Sequence, residues 1–261
     1  MSNSKINSQK TLYSGKSYDY YSNQCLNGMD NNNINWHNRP AFQSIVAVSE
    51  KLDAMNAAYY NGANAPDTIF YDNLSVDNRN PLWDDPQCKW AIFTHYKYLF
   101  TDSLHQLVLE KRPVSLQKRK LLLMDTVITF NQQITIPQNE KGIITLNAQV
   151  DANWKGNLRA TLFQPPHIDL VLRHYGNNKT GVVDTFRYCH NLFNKQDLII
   201  NYATGICDNI DAAFNSNKLD IELFTKFNSI QSNIKSFSFQ NDMPSGTSSK
   251  IRILIYKITL D

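Results

Sequence analysis

Glycine is scarce in this chain, with nine residues among 261. The sequence contains no P-loop, no G-x-G-x-x-G fingerprint and no G-x-S-x-G elbow, so glycine-rich phosphate cradles and hydrolase nucleophiles are not indicated. The six histidines are scattered, and none stands in an H-E-x-x-H or H-x-H spacing. The sequence therefore predicts neither an enzyme nor a metal site, although a catalytic set assembled from distant residues would leave no such signal.

Cysteine pairs, long apolar runs and strong charge are also missing. The four cysteines stand far apart without C-x-x-C spacing, which argues against a zinc ribbon or redox pair and favours free thiols in a reducing compartment. No run approaches about 18 apolar residues, and the start has no apolar signal region, so we expect a cytosolic protein that does not span a membrane. The net charge of +3 is too small to drive non-specific nucleic-acid binding.

The chain does contain enough apolar residues, 42%, for a hydrophobic core, and a large excess of asparagine, which tolerates tight turns. Short alternating or apolar stretches, separated by turn residues, follow one another from 121 to 172. The last stretch, 250–260, places Ile251, Ile253 and Ile255 on one face of a strand. This spacing predicts a mainly β protein built as a sandwich or barrel.

The N-terminal part has a different composition. Residues 1–40 are polar and rich in asparagine and tyrosine, which predicts an extended arm ahead of a single domain over 41–261. Ser49 begins a helical pattern that ends at Asn61 and Gly62. This is the clearest of a few helices that we expect within an otherwise β-rich domain.

Further strands are predicted outside the region 121–172, among them DLIINYA, from Asp197, and KSFSF, from Lys235. The stretch KWAIFTHYKYLF, from Lys89, is rich in aromatic and β-branched residues, which suit a pleated surface. Strands are also predicted for FQSIVAV, which follows Ala41, and for LDIELFTKF, which follows Lys218.

The clearest local concentration of charge includes three consecutive cations, Lys118, Arg119 and Lys120. Guanidinium and ammonium groups together could hold the phosphate oxygens of a nucleotide or nucleic acid. The alternative is a solvated loop ahead of a strand. If the three residues form a phosphate site, reversing their charges abolishes phosphate binding.

Tyrosine is the other excess, with 13 residues. Core packing accounts for many tyrosines. For an assembling protein they also provide an alkaline trigger, because near pH 10.2 roughly half of the tyrosines gain a charge and roughly half of the lysines lose one. The net charge then becomes strongly negative and repels packed subunits. The candidate trigger residues are Tyr13, Tyr18, Tyr20, Tyr21, Tyr59, Tyr60, Tyr96 and Tyr98.

Five segments occur in an order typical of one viral family. They are SYDYYSNQCLNG, IVAVSEKLDAM, IFYDNLSVDN, ITIPQNEKGIITLNAQVDAN and IDAAFNSNKLDIELFTKFNSI. Together they cover about a third of the chain, and their succession resembles the polyhedrins of cypoviruses, the proteins of insect-virus occlusion crystals. Each segment is short and carries no invariant chemical motif.

The resemblance implies a jelly-roll-like antiparallel β-sandwich with helical additions. It also implies trimers tied into a crystal by the N-terminal arm, with virions embedded in it, in inclusion bodies in the cytoplasm of the infected cell. No cofactor is required, although members of the family hold nucleotides in the lattice. No family nucleotide contact matches a residue of this chain, so the assignment of Lys118 to Lys120 rests on charge alone. Dissolution of the crystal in alkali would fit the change in net charge that the titration of tyrosine and lysine produces near pH 10.2.

Two other classes share these features. One is a jelly-roll binding module, either a viral capsid protein or a carbohydrate-binding domain, and exposed tryptophans lining one groove would favour sugar binding. The candidates for such a groove are Trp36, Trp83, Trp90 and Trp154. An insecticidal crystal toxin would need an amphipathic segment that inserts into membranes, and only the modest helix at 49–61 is available.

Overall fold

The computed structural model describes residues 16–21, 35–42, 49–72, 80–102, 106–137, 141–151, 153–156, 158, 167–174, 183–189, 193–200, 221–230, 234–241, 247 and 249–261. Within these ranges the protein is mainly β, as predicted, with 13 strands in three sheets. The predicted strand FQSIVAV falls largely on 43–48, and Tyr13 on 1–15, so both lie outside the described residues.

The first sheet is mixed and has five strands. They are β1 (Ser17–Tyr21), β2 (Asn35–Trp36), β3 (Thr68–Tyr71), β4 (Tyr96–Thr101) and β5 (Leu107–Lys111). Their order is β2-β1-β3-β5-β4, with β1 parallel to both neighbours and the remaining pairs antiparallel. The prediction of purely antiparallel pairing is therefore wrong for this sheet.

Strand β1 belongs to the part of the chain that was predicted to be an arm. Instead of projecting, it lies inside the sheet and buries Tyr18 and Tyr21. Aromatic packing explains this position, since Tyr20 stacks on Phe70 at 4.7 Å and Tyr21 on Tyr71 at 5.2 Å between ring centroids. At least this stretch of residues 1–40 is thus ordered by its own chain.

The other two sheets have four strands each, and all their pairs are antiparallel. One contains β6 (Lys118–Thr129), β8 (Ile143–Gln149), β11 (Leu198–Ile199) and β13 (Lys250–Leu260), in the order β11-β8-β13-β6. The other contains β7 (Ile134–Thr135), β9 (Ile168–His174), β10 (Val183–Arg187) and β12 (Ile234–Asn241), in the order β10-β9-β12-β7.

One hydrophobic core joins the three sheets. It includes Ile69 of the first sheet, Leu146 and Ile253 of the second, and Leu170 and Phe237 of the third, all fully buried. The strands predicted between 121 and 172 are confirmed for β6, β7, β8 and β9. The terminal strand is confirmed as well, because its isoleucines at 251, 253 and 255 are all buried.

The predicted helix is confirmed as α1 (Glu50–Asn61), capped by the Ser49 side chain, which accepts a hydrogen bond from the Leu52 amide. The buried face of α1 is not the one that the spacing of its apolar residues predicts. Met55 is 44% exposed, whereas Asp53 and Asn56 are fully buried. Asn56 explains part of this, because its amide bonds both the N–H and the C=O of Ala41.

The strand predicted from Lys89 is wrong in its first half. Residues Pro86–His95 form the helix α2, and strand β4 begins only at Tyr96. Pro86 stands in the first turn, where a missing N–H costs nothing, and Asp53 accepts hydrogen bonds from the amides of Gln87 and Cys88. These tertiary contacts override the strand propensity of the segment.

The strand predicted from LDIELFTKF is also wrong, because 221–225 is helical and Phe227–Ser229 forms a 3-10 turn. Phe224 packs against Phe93 of α2, at 5.1 Å between ring centroids, and against Tyr71 of β3, at 5.5 Å. Phe227 also packs against Phe93, at 6.5 Å between ring centroids. A helical turn brings Phe224 and Phe227, three residues apart, to one side of the chain, whereas alternation along a strand would point them to opposite faces.

Substituting Ile253 tests the assignment of β13 as the strand that fills the core. We expect Ile253→Ala to lower the free energy of unfolding by about 2–5 kcal/mol, through lost burial and the cavity left behind. Val127→Ala, on an exposed site of the neighbouring strand, is the matched control and should change stability by less than about 0.5 kcal/mol. Urea denaturation measures both, and equal effects would contradict the assignment.

Candidate functional site

Strand β6 forms one border of its sheet. It pairs with β13 along its whole length, and among the described residues no strand lies on its other side. It has 12 residues, so it presents an edge about 40 Å long whose outward backbone groups have no partner strand. We call residues 118–129 the β6 edge.

The β6 edge also carries exposed apolar side chains beyond its three leading cations. Leu121, Leu122 and Val127 are 59%, 51% and 55% exposed, and Val114, just before the strand, is 78% exposed. Single exposed apolar residues are ordinary, but three on one edge strand form a surface that another chain can cover. The other border strands of the described sheets are shorter: β4 has six residues, β10 five, and β2, β7 and β11 two each.

The three cations that were predicted to bind phosphate are the first residues of β6, so the alternative prediction of a loop does not describe them. Each already meets a carboxylate: Lys118 and Lys120 contact Asp197, and Arg119 contacts the side chain of Asp261 at 2.6 Å. Burial alone would raise the pKa of Asp197, but the bonds from the two lysines lower it below its usual value. A phosphate would have to displace these carboxylates.

A cluster of buried polar groups connects β1 with α1. We call it the Arg39 cluster, and it consists of Asp19, Arg39 and Tyr60, all fully buried. Arg39 approaches Asp19 at 3.3 Å and donates to the backbone oxygen of Tyr20 at 2.8 Å, while the Tyr60 hydroxyl donates to Asp19 at 2.5 Å. Burial alone would lower the pKa of Arg39, but the charges of Tyr60 and Asp19 raise it.

A second group of ionisable residues surrounds the first turn of α2. Asp85 precedes the helix in a left-handed conformation, φ 48°, and neither of its carboxylate oxygens has a hydrogen-bond partner in the described part of the chain. Burial is the main cause that raises the pKa of Asp85, and the nearby charge of Asp53 raises it further. The buried ammonium group of Lys89 lies 4.9 Å from the centre of the Tyr21 ring. Cys88 is a free buried thiol, and burial raises its pKa.

Of the seven candidate trigger tyrosines that the structure describes, four are buried and three are half-buried. Burial raises the pKa of Tyr21, Tyr59, Tyr60 and Tyr96 above the ordinary value near 10, and neighbouring negative charge adds to the effect. The change in net charge calculated near pH 10.2 from ordinary pKa values therefore does not apply to these four tyrosines. Tyr18 is buried, whereas Tyr20 and Tyr98 are half-buried.

The tryptophans do not line one groove. Trp83 and Trp90 are buried and donate to the backbone oxygens of Ile199 and Asp197. Trp36 is half-buried, and its indole N–H points to Asp19 at 3.4 Å. Trp154 is 70% exposed, and the ammonium group of Lys155 lies 5.7 Å from the centre of its ring.

Comparison with known protein families, with curated proteins and with solved structures finds no match to this chain. Within the described residues no helix is long and apolar enough to cross a membrane, and no three histidine, cysteine, aspartate or glutamate side chains are grouped as a metal site.

The ionisable residues around α2 predict how the stability of the protein changes with pH. Burial raises the pKa of Asp53 to about 6, so the folded state favours its neutral form. The stability that this provides is complete below pH of about 4 and is lost as the pH rises through about 6, a change of about 3 kcal/mol. We expect Asp53→Asn to flatten the pH dependence of unfolding between these values. Asp151→Asn, at an exposed site, is the control and should leave the slope unchanged, as measured by urea denaturation at each pH.

Proposed function

We propose that this protein is a structural matrix protein that assembles with copies of itself into an intracellular crystal and carries out no catalysis. The observation that supports this most directly is the β6 edge, a 12-residue border strand with three exposed apolar side chains. Long, uncovered apolar edges are generally avoided by proteins that stay single, because they invite pairing with another chain. A chain that assembles has a use for such an edge.

The resemblance to cypovirus polyhedrins supports the same proposal and makes it more specific. It adds a jelly-roll arrangement of the sheets, trimers as building blocks, embedded virions and inclusion bodies in the cytoplasm of an infected cell. The mainly antiparallel β architecture is compatible with that arrangement. A nucleotide in the lattice belongs to the proposal too, with Lys118, Arg119 and Lys120 as its phosphate contacts once Asp197 and Asp261 release them.

The buried tyrosines suggest how such a crystal would respond to alkali. Because burial raises the pKa of Tyr21, Tyr60 and Tyr96, the folded state holds these phenols neutral. The stability they provide is complete below pH of about 10 and is lost as the pH rises towards their folded pKa values. In this mechanism the crystal dissolves because its subunits unfold, and surface repulsion from lysine and tyrosine titration adds to that effect.

A second candidate function is a jelly-roll binding module. Trp154 favours it, because an indole exposed to 70% provides a flat face on which a sugar ring can stack. Trp154→Ala would then abolish binding to a glycan array while leaving the solution mass of the protein unchanged.

Expression of the whole chain in insect cells tests the proposed function. We expect cytoplasmic crystals that are insoluble at neutral pH and dissolve above a pH of about 10, in step with loss of the far-UV circular dichroism of folded protein. A soluble monomer, with no crystals in the cells, would contradict the proposal and favour the binding module.

Replacing Tyr60 tests the alkaline mechanism. Tyr60→Phe removes the hydroxyl that donates to the buried Asp19 carboxylate, so stability at pH 8 should fall by about 1–3 kcal/mol. The further loss of stability above a pH of about 10 should become shallower, because one fewer buried phenol is available to ionise. Tyr256→Phe, at a half-buried site on β13, is the matched control. An unchanged alkaline slope in Tyr60→Phe would exclude this residue from the trigger.

A further inference from the structure

We propose that Asp85 and Asp53 are alternative caps for the N-terminus of α2, and that exchange of one for the other releases α1 from α2 as the pH rises. In the docked state, which the structure shows, Asp53 caps α2 from the neighbouring helix. In the released state, Asp85 caps its own helix and Asp53 faces solvent. This device goes beyond the proposed function, because it operates within one molecule whether or not copies assemble.

The N-terminus of α2 is capped by a residue that is distant in sequence. The first amide groups of a helix have no partner inside the helix, and the side chain of the residue just before it normally accepts from them. That residue is Asp85, but its carboxylate makes no such bond. Instead, Oδ2 of Asp53 lies 3.0 Å from the amide nitrogen of Gln87, and Oδ1 lies 2.9 Å from that of Cys88. Two carboxylates are therefore available for one pair of amide groups.

The backbone of Asp85 favours the exchange. Its φ of 48° and ψ of 59° are left-handed, a conformation that residues with a side chain rarely adopt. Pro86 follows, and a proline ring shifts the preceding residue towards extended backbone. Extended backbone is also the conformation of a residue that caps a helix. Relaxation of Asp85 thus leads towards the geometry in which its carboxylate accepts from the first turn of α2.

The burial of Asp85 acts in the same direction, and the docking of α1 opposes it. The carboxylate is fully buried, and neither of its oxygens has a hydrogen-bond partner among the described residues. A buried polar group without a partner is unfavourable, and strain of this kind persists only where the surroundings impose it. Here the surroundings include two contacts of α1, those of Asn56 with Ala41 and of Tyr60 with Asp19.

Ionisable groups from the elements packed against it surround Asp85. They are Asp53 of α1, Arg39 of the segment after β2, Tyr21 of β1, the adjacent Asp84, and Cys88 and Lys89 of α2. Burial is the main cause that raises the pKa of Asp85, the two other aspartates raise it further, and the arginine and the lysine lower it. The docked state therefore favours the neutral form of this carboxyl group.

The two carboxyl groups give the exchange its dependence on pH. Burial also raises the pKa of Asp53, to about 6, whereas in the released state both groups regain ordinary values of about 4. The docked state consequently binds more protons than the released state. Docking is fully favoured below a pH of about 4, and it weakens as the pH rises through the higher pKa values of the docked state.

Amide hydrogen exchange of α1 measures the release. In the wild-type chain we expect the opening constant of α1 to exceed that of β13, and to rise by up to about tenfold per pH unit for each proton released, from about pH 5 to about pH 8. Asp85→Asn retains a side chain that tolerates left-handed backbone and caps helices, but it does not ionise. This variant should lose the rise above a pH of about 6, where Asp53 is already ionised. Asp151→Asn, at an exposed site, is the control and should follow the wild type.

A second variant and a second readout test the strain at Asp85. Glycine adopts left-handed backbone freely and has no carboxylate, so Asp85→Gly should lower the opening constant of α1 about tenfold at pH 8. The thiol of Cys88 is fully buried in the docked state. Its alkylation, followed by peptide mass mapping, should therefore be slower in Asp85→Gly than in the wild type.

Two results would overturn the proposal. One is an α1 that exchanges only together with β13 in the wild-type chain, since release would then be global unfolding. This comparison needs no variant, so it decides the matter even where a substitution prevents folding. The other is the same pH profile in the wild type and in Asp85→Asn. Both measurements use the soluble single chain, so a failure of the proposed function would leave them unaffected.

Discussion

The backbone hydrogen bonds that pair β13 with its two neighbours, β6 and β8, are the constraint on which the rest of the molecule depends. β13 pairs with β8 from Arg252 to Ile258 and with β6 from Lys250 to Leu260, so one strand holds the centre of the sheet. Its alternate isoleucines fill the core that all three sheets share. Because β13 occupies the inner side of β6, the outer side of β6 becomes the border that carries the proposed assembly contact.

The Arg39 cluster contrasts with that apolar ladder. Asp19 comes from β1, Arg39 from the segment after β2 and Tyr60 from α1, so three separate elements must meet for the buried charges to be satisfied. Removing one partner of a buried ion pair commonly costs about 3–5 kcal/mol, whereas an apolar replacement of the whole cluster is often neutral. The cluster therefore specifies how the first sheet docks on its helix more than it adds stability. Through the raised pKa of Tyr60 it also makes this docking sensitive to alkali.

The sequence predicted much of the β architecture and little of the candidate site. Ile251, Ile253 and Ile255 show a period of two, which matches the buried face of β13, and Ser49 provides a local cap for α1. The helix α2 was missed because its stability depends on a distant carboxylate, that of Asp53, and on burial among aromatic rings. The β6 edge could have been suspected from the apolar run at 121–123, but only strand order reveals that it borders a sheet. The partners of Lys118 and Lys120 were equally hidden, since Asp197 is distant in sequence.

The shape of the second sheet limits how an assembly contact at the β6 edge could extend. The opposite border of that sheet, β11, has only two residues in the part of the chain that the structure describes. A ladder that began at the β6 edge would therefore find no comparable strand at the other border on which to continue into a fibre. The bulge of β6 at Leu123, where the register against β13 shifts, adds local twist that further opposes a flat, open-ended ladder. A crystal of this protein consequently needs at least one contact besides the β6 edge.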